Sequence, residues 1–133
     1  MVMNIQVLIP QRTICRTVAD EVVLPGLVGQ IGVLNGHATL VTSLATGLLR
    51  IRVDQKWTPI LVCGGLAEID RDVVTVLAID GEDLSSVDMA TAQNNLQKAN
   101  LDLESADNET DQLEASADIK KASATIEALQ SFA

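Results

Sequence analysis

Aromatic side chains are almost absent from this chain: Trp57 and Phe132 are the only two, and there is no tyrosine. The core must therefore be built from Val, Leu, Ile and Ala, which fits a composition that is 47% hydrophobic. A chain of 133 residues is long enough to bury such a core, as one domain or as one domain with a small appendage.

Positive charge is also scarce, because nine Lys and Arg face 18 Asp and Glu, for a net charge of -9. This excludes nucleic-acid binding that depends on cations, and it argues against direct contact with an anionic membrane surface. The apolar runs are shorter than the roughly 20 residues that a membrane helix needs. The opening "MVMNIQVLIP" lacks the charged-then-apolar layout of a signal peptide. We expect a chain that is soluble where it is made.

Potential metal ligands are few, since His37 is the only histidine and Cys15 and Cys63 are the only cysteines. The cysteines lie in apolar, strand-like contexts and lack zinc-site spacing, so we expect them to be small buried hydrophobes. The sequence predicts no metal and no cofactor.

Glycine and proline are missing from everything after Leu84, and the chain divides there. In residues 1–84, short apolar stretches alternate with turn residues, which predicts an all-β sandwich or flattened barrel. In one of these stretches Leu49, Ile51 and Val53 point inward, while Arg50 and Arg52 point outward. Residues 85–133 predict an antiparallel α-helical hairpin, so the fold class is α+β.

The first predicted helix opens with a capping box of Ser85 and Asp88. Each helix has one apolar stripe at alternating spacings of three and four residues. The stripes consist of Ala92, Leu96, Ala99, Leu103 and Ala106 on the first helix, and of Ala115, Ile119, Ala122, Ile126 and Leu129 on the second.

Glycines are concentrated in "GQIGVLNGHATLVTSLATG", residues 29–47. They are compatible with a phosphate loop, with tight turns, or with a surface that another backbone approaches closely. Their spacing matches no nucleotide fingerprint and a strand follows, so turns are favoured, with Asn35 and Gly36 as a type I′ hairpin. His37 is a structural or interface residue or, less favoured, a general base. Asp70 and Asp72 mark a hairpin tip rather than a metal or acid-base site.

This glycine-rich block, followed by "LVCGGLAEID", "VVTVLA" and a two-helix tail, resembles the ε subunit of F-type ATP synthases from cyanobacteria and chloroplasts along the whole chain. The resemblance implies a sandwich of about ten strands and a rotor subunit without catalytic activity. Such a subunit joins the γ shaft to the ring of c subunits, and its tail restrains ATP hydrolysis. The alternatives are a generic β-sandwich adaptor with an interaction hairpin and, more remotely, a sandwich-fold hydrolase.

The resemblance also assigns interface residues. Gly29, Gln30, Ile31 and Gly32 would meet the c ring, with Gln30 at the tip of a turn, and His37, Ala38 and Leu40 would face γ. The cations of the regulatory tail would be Lys98, Lys120 and Lys121, in a hairpin that carries -6 of the net charge. The tail would reach the catalytic head only if extended.

Two departures from the family pattern stand out. Asn35 replaces the proline that commonly precedes the Gly36 position, and Thr91 replaces an arginine that bacterial relatives use to bind ATP. We therefore expect weak ATP binding or none. From the resemblance, and from the lack of a presequence, we expect a peripheral subunit on the stromal or cytoplasmic side of a chloroplast or cyanobacterial thylakoid, which meets the membrane only indirectly.

Overall fold

The computed structural model describes residues 2–132, which form two compact units, one ending at Ser85 and the other beginning at Ser86. The first unit is built of strands and the second of helices. The strands are β1 (Met3–Ile9), β2 (Arg12–Ala19), β3 (Glu21–Pro25), β4 (Gln30–Leu34), β5 (Leu40–Val53), β6 (Lys56–Asp70), β7 (Val73–Ala78) and β8 (Gly81–Asp83). The helices are α1 (Met89–Glu104) and α2 (Glu109–Phe132).

The strands of the first unit belong to one sheet that folds over on itself. Their order is β2-β1-β7-β6-β5-β3-β4, and β8 pairs with β6. β5 and β6 form a long antiparallel hairpin, which is paired from Leu40–Ile69 to Val53–Lys56. β2 also packs against β5 and β8, although neither is its neighbour in the sheet. These contacts close the sheet into a sandwich, as predicted.

The core of the sandwich is aliphatic, as the scarcity of aromatic residues requires. Leu49 and Ile51 are fully buried, whereas Arg50 and Arg52 between and beside them are half-buried. This alternation agrees with the prediction, except that Val53 at the strand end is only half-buried. Further members of the core are Met3, Ile5, Val7, Val22, Leu24, Val33, Leu44, Ile60, Val62, Ala67, Ile69, Val74 and Val76.

The count of about ten strands was too high, since the described residues form eight. The difference lies in β5 and β6, which are 14 and 15 residues long. β6 pairs first with β8 and then with β7 without ending between them. Gly64 and Gly65 lie at that point with φ of 73° and 134°, a conformation that glycine adopts easily. The strand therefore bends there instead of breaking into two.

The tight hairpin turns are not where the Asn-Gly signal placed them. Asn35 and Gly36 connect β4 to β5, which do not pair with each other. Only Gly36 has a positive φ, of 89°, and the His37 amide donates to the Leu34 carbonyl at 3.1 Å. This combination is typical of a type II turn, in which only the second central residue needs a positive φ. The prediction of a type I′ hairpin at this position was wrong.

Two other turns have the type I′ geometry, with positive φ at both central residues. Asp54 and Gln55 join β5 to β6 with φ of 51° and 67°, and Arg71 and Asp72 join β6 to β7 with φ of 50° and 61°. The second turn agrees with the predicted hairpin tip at residues 70–72. Neither turn contains the glycine that usually occupies it.

The N-terminus of α1 is capped by a single residue. Asp88 is the N-cap, and its Oδ1 accepts a hydrogen bond from the Thr91 amide at 2.7 Å. Ser85 instead donates its hydroxyl and amide to the Asp83 carboxylate. The predicted capping box was therefore wrong, because the local acceptor Asp83 holds Ser85 one turn before the helix begins.

The two helices form a hairpin, because the chain reverses over residues 105–108 and α1 packs along α2. Asn108 caps α2 by accepting a hydrogen bond from the Asp111 amide at 2.8 Å. The predicted stripes are largely confirmed: Ala92, Ala99, Ala115 and Ala122 are buried, and Leu96, Ala106, Ile119, Ile126 and Leu129 are half-buried. Leu103 is exposed, whereas Thr125 and Ala128 are buried and were missed.

Candidate interaction surfaces

The first predicted interface set, residues 29–32, lies at the start of β4 in the β3–β4 hairpin. Gln30 pairs with Pro25 in the first rung of that hairpin, and Ile31 and Gly32 follow in the strand. The tip is instead formed by Leu27 and Val28. The expectation that Gln30 is the tip of the turn was therefore wrong.

The shape of this loop depends on its flanking glycines. A Cβ on Gly26 would lie only 2.6 Å from the Gly29 carbonyl oxygen, which is too close for any other residue. Gly29 itself has a φ of 150°. These constraints move the turn upstream of Gln30 and leave Gly32 in ordinary strand conformation, where a Cβ would meet no atom within 4 Å.

The tip of the hairpin is apolar and exposed to solvent. Leu27 is 67% exposed and Val28 is fully exposed. Both lie in a stretch of 28 residues, from Val22 to Leu49, that contains no Asp, Glu, Lys or Arg. Exposed aliphatic residues in a charge-free segment are typical of a contact surface. Sequence analysis missed Leu27 and Val28, although two aliphatic residues between Gly26 and Gly29 were a visible signal.

Arginines from β5 flank the base of the hairpin. Arg50 Nη2 donates to Gln30 Oε1 at 3.5 Å, and Arg52 forms an ion pair with Glu21 at 3.4 Å. The guanidinium groups of both arginines lie over the Trp57 ring, 5.6 and 5.7 Å from its centroid. The Trp57 ring attracts both cations, so this cluster orders the side chain of Gln30 beside the loop.

The second predicted set, His37, Ala38 and Leu40, lies at the other end of β4. Residues 35–39, which we call the 35–39 loop, join β4 to β5, and Leu40 is the first residue of β5. Ala38 is exposed, while His37 and Leu40 are half-buried. His37 Nδ1 lies 2.6 Å from the Ala38 carbonyl oxygen. Because that oxygen can only accept, Nδ1 carries the proton, and this contact fixes the orientation of the ring.

Hydrogen bonds join the 35–39 loop to distant parts of the first unit. The Gly36 amide donates to Asp72 Oδ1 at 2.7 Å, and the Thr39 hydroxyl donates to Asp70 Oδ1 at 3.2 Å. Asn35 Nδ2 donates to the Val2 carbonyl at 3.0 Å. The loop is therefore ordered by side chains from the β6–β7 turn, although it has no regular secondary structure.

The first predicted set is Gly29 and the first three residues of β4, and the second set follows the end of the same strand. β4 has five residues and is the terminal strand in the order of the sheet. At about 3.3 Å per residue, its first and last residues are about 13 Å apart. The structure thus places the two sets close enough to share one rigid element, yet at opposite ends of it.

The three lysines of the second unit are distributed over both helices. Lys98 on α1 and Lys120 on α2 are exposed, and Lys121 is half-buried. Lys120 and Lys121 are adjacent in α2, whereas Lys98 lies in the middle of α1. The sequence places more acidic than basic residues on both helices, which makes the field of this unit negative.

Cys15 and Cys63 are half-buried, rather than buried as expected. Partial burial raises the pKa of the Cys15 thiol, and the negative charge of Asp83 raises it further. A raised pKa keeps the thiol protonated and poorly nucleophilic. Within residues 2–132, no cluster of three or more His, Cys, Asp or Glu could hold a metal ion, and no helix is long and apolar enough to cross a membrane.

Comparison with known proteins covers both units. The family described as ATP synthase, Delta/Epsilon chain, beta-sandwich domain matches residues 2–83. The chloroplastic ATP synthase epsilon chain of Phaeodactylum tricornutum is 59% identical over 129 residues, which cover 97% of each chain. That of Thalassiosira pseudonana is 57% identical, with the same coverage.

Solved structures show the same fold at low sequence identity. A chain of the mitochondrial ATP synthase of Euglena gracilis, in an OSCP/F1/c-ring structure, matches with a TM-score of 0.66 and 20% identity, over 98% of this chain and 80% of that one. A chain from the central stalk and c-ring structure of Tetrahymena thermophila matches with a TM-score of 0.59 and 14% identity, over 95% of each. Given the family match and the relatives of nearly equal length, the chain belongs to the ATP synthase delta/epsilon family, among epsilon chains of the chloroplast type.

Proposed function

We propose that this chain is a non-catalytic rotor subunit of a chloroplast ATP synthase, which joins the γ shaft to the c ring during proton-driven ATP synthesis. The observation that carries the proposal is the 59% identity to a chloroplastic epsilon chain over 97% of both sequences. The alignment extends through the helical unit as well as the sandwich, so it supports a subunit of this kind rather than an unrelated adaptor.

The arrangement around β4 supports a joining role. A subunit that holds two partners together must transmit force between them without bending. Here the proposed c-ring set occupies the first half of β4 and the proposed γ set follows its last residue, and the strand is paired with β3 along its whole length. A paired strand resists deformation better than a flexible loop does. Torque from γ at one end would then reach the c ring at the other.

The c-ring contact is proposed to consist of Gly29, Gln30, Ile31 and Gly32, extended by the exposed tip residues Leu27 and Val28. The open space beside Gly32 lets a partner backbone approach closely. The absence of charged side chains in this segment removes the desolvation cost that ions would add to such a contact. We propose His37, Ala38 and Leu40 as the contact with γ.

The helical unit is proposed to modulate ATP hydrolysis only weakly. The family resemblance implies that an extended tail would meet acidic segments of the catalytic head. The excess of acidic residues in this unit would oppose such docking, because like charges repel. Lys98, Lys120 and Lys121 are the cations available to it for such a contact. We further propose a peripheral position on the stromal side of the thylakoid, which is consistent with the chloroplastic names of the relatives.

Reconstitution tests this proposal. The tagged chain is added to chloroplast ATP synthase from which epsilon has been removed, and the bound subunits are identified after purification. The proposal expects recovery of γ together with the c ring, and restored coupling of proton flow to ATP synthesis. The double variant Leu27→Ser/Val28→Ser should retain γ but lose the c ring. Recovery of neither partner by the wild-type chain would support an unrelated adaptor instead.

A further inference from the structure

The β6–β7 turn has an unfavourable local conformation. Arg71 and Asp72 have φ of 50° and 61°, in the left-handed region that non-glycine residues rarely adopt. A type I′ turn at these two positions normally selects Asn-Gly. The local preference of the backbone therefore does not explain an arginine and an aspartate here.

The carboxylates on either side of Arg71 have distant partners. Asp72 Oδ1 accepts from the Gly36 amide at 2.7 Å, and Asp70 Oδ1 accepts from the Thr39 hydroxyl at 3.2 Å. The Asp72 carbonyl also accepts from the Asn4 amide at 2.9 Å, which connects the turn to β1. The left-handed Asp72 and the last residue of β6, Asp70, thus present their carboxylates to the two ends of the segment that contains His37 and Ala38.

The β5–β6 turn provides an internal comparison. Asp54 and Gln55 have nearly the same φ values, yet within residues 2–132 neither side chain forms a hydrogen bond with another segment. The two turns share one backbone geometry and differ in the hydrogen bonds that their side chains form. Contact with the 35–39 loop is therefore specific to the turn of Asp70 and Asp72.

We propose that Asp70 and Asp72 are positioning residues, which hold the 35–39 loop in the conformation that γ recognises. This inference rests on the proposed γ contact of His37 and Ala38. A loop that is ordered before binding loses less conformational entropy when a partner docks. Hydrogen bonds to ionised carboxylates are about twice as strong as neutral ones, so they suit this purpose. Neither aspartate has to touch γ for this effect.

The test removes the Asp72 carboxylate while it preserves the conformation of the β6–β7 turn. Glycine favours positive φ, so Asp72→Gly relieves the local strain while it removes the hydrogen bond to Gly36. Gln55→Gly makes the same change at the equivalent position of the control turn. Hydrogen exchange of the amides of residues 36–39 is measured in the isolated full chain, and affinity is measured with purified chloroplast γ subunit.

The inference expects faster amide exchange in the 35–39 loop of the Asp72→Gly variant, and about tenfold weaker binding to γ. Gln55→Gly should change neither quantity, and Asp72→Asn, which keeps an acceptor oxygen, should restore most of the affinity. Unchanged exchange, or unchanged affinity, in Asp72→Gly would overturn the positioning role.

A separate variant distinguishes failure of the inference from failure of the proposed function. Ala38→Asp places a charge on the exposed part of the loop and leaves both aspartates intact. If this variant binds γ normally, the proposed γ contact is wrong. If it binds weakly while Asp72→Gly binds normally, the contact stands and only the positioning role is overturned.

Discussion

Gly65 of β6 packs directly against the backbone of Leu77 in β7. A Cβ on Gly65 would overlap the Leu77 carbonyl oxygen and would lie 2.8 Å from the Ala78 Cα. Gly65 also has a φ of 134°, which other residues adopt only with strain. Sterics and backbone conformation therefore both require glycine where β6 bends.

We predict that Gly65→Ala lowers the free energy of unfolding by about 2–4 kcal/mol, because overlap and backbone strain add together. Gly32→Ala is the matched control, since it adds a methyl group to a strand glycine in open space. It should be neutral or slightly stabilising. Urea denaturation followed by circular dichroism measures both, and equal stabilities for the two variants would contradict this account of the bend.

Gly32→Val should separate binding from folding. Gly32 does not have a positive φ and nothing lies near its absent Cβ, so a β-branched residue fits the strand. We expect normal stability but weaker attachment of the c ring, because valine fills the space that a partner backbone would use. Proton-driven ATP synthesis in reconstituted vesicles is the measurement, and normal synthesis would argue against the assignment of this surface.

The strand unit should fold without the helices. Its aliphatic core consists of residues from the first unit alone, and Leu84 near the boundary is buried. A chain that ends at Ser85 should therefore show cooperative thermal unfolding and protected amides in β1, β5 and β6, and should still bind γ. An unfolded fragment would show that the domains proposed at residues 1–84 and 85–133 depend on each other.

The stability of α1 should depend on pH through its cap. The hydrogen bond from the Thr91 amide, assisted by the Thr91 side chain, lowers the pKa of Asp88. Because the folded state has the lower pKa, the stabilisation is complete above the unfolded carboxyl value of about 3.9 and declines as the pH falls through the folded value.

Helix content measured by circular dichroism, from about pH 6 to about pH 2, tests this cap. Asp88→Ala should reduce helix content most at neutral pH, and the difference from wild type should shrink in acid. Asp88→Asn keeps an acceptor without the titration and serves as the control. A difference between Asp88→Ala and wild type that does not change with pH would contradict the assigned origin of the pKa shift.

Deletion of residues 86–133 should change ATP hydrolysis little in an assembled enzyme without a proton gradient. The physical reason is the negative charge of the helical unit, which opposes docking onto an acidic surface. Neutralising its cations with Lys98→Gln, Lys120→Gln and Lys121→Gln should likewise have little effect. A severalfold rise in hydrolysis after the deletion would show that this unit inhibits despite its charge.

Local sequence patterns were sufficient to predict which segments form strands and which form helices. The alternation around Leu49 and Ile51, and the helix-period stripes of alanine in a segment without glycine or proline, are local signals that depend on near neighbours in the chain. The family was also recognisable from contiguous residues, because the resemblance is carried by a linear pattern, and the two interface sets that it implies remain proposals. The exposed tip residues Leu27 and Val28 were not predicted, because the glycines that follow them were interpreted as the turn itself.

The contacts between those segments depend on residues that are far apart in the chain, so they could be read only from the folded structure. The hydrogen bond between Asp72 and Gly36 joins residues 36 positions apart, and the contact of Gly65 with Leu77 depends on the register of β6 against β7. The pairing of β5 with β6 selects type I′ geometry at Asp54–Gln55, and the pairing of β6 with β7 selects it at Arg71–Asp72. Local preference alone favours this geometry at Asn35–Gly36. Strand pairing outweighs the local cost of left-handed residues, because each hairpin gains a full set of backbone hydrogen bonds and buried aliphatic contacts when its turn adopts that geometry.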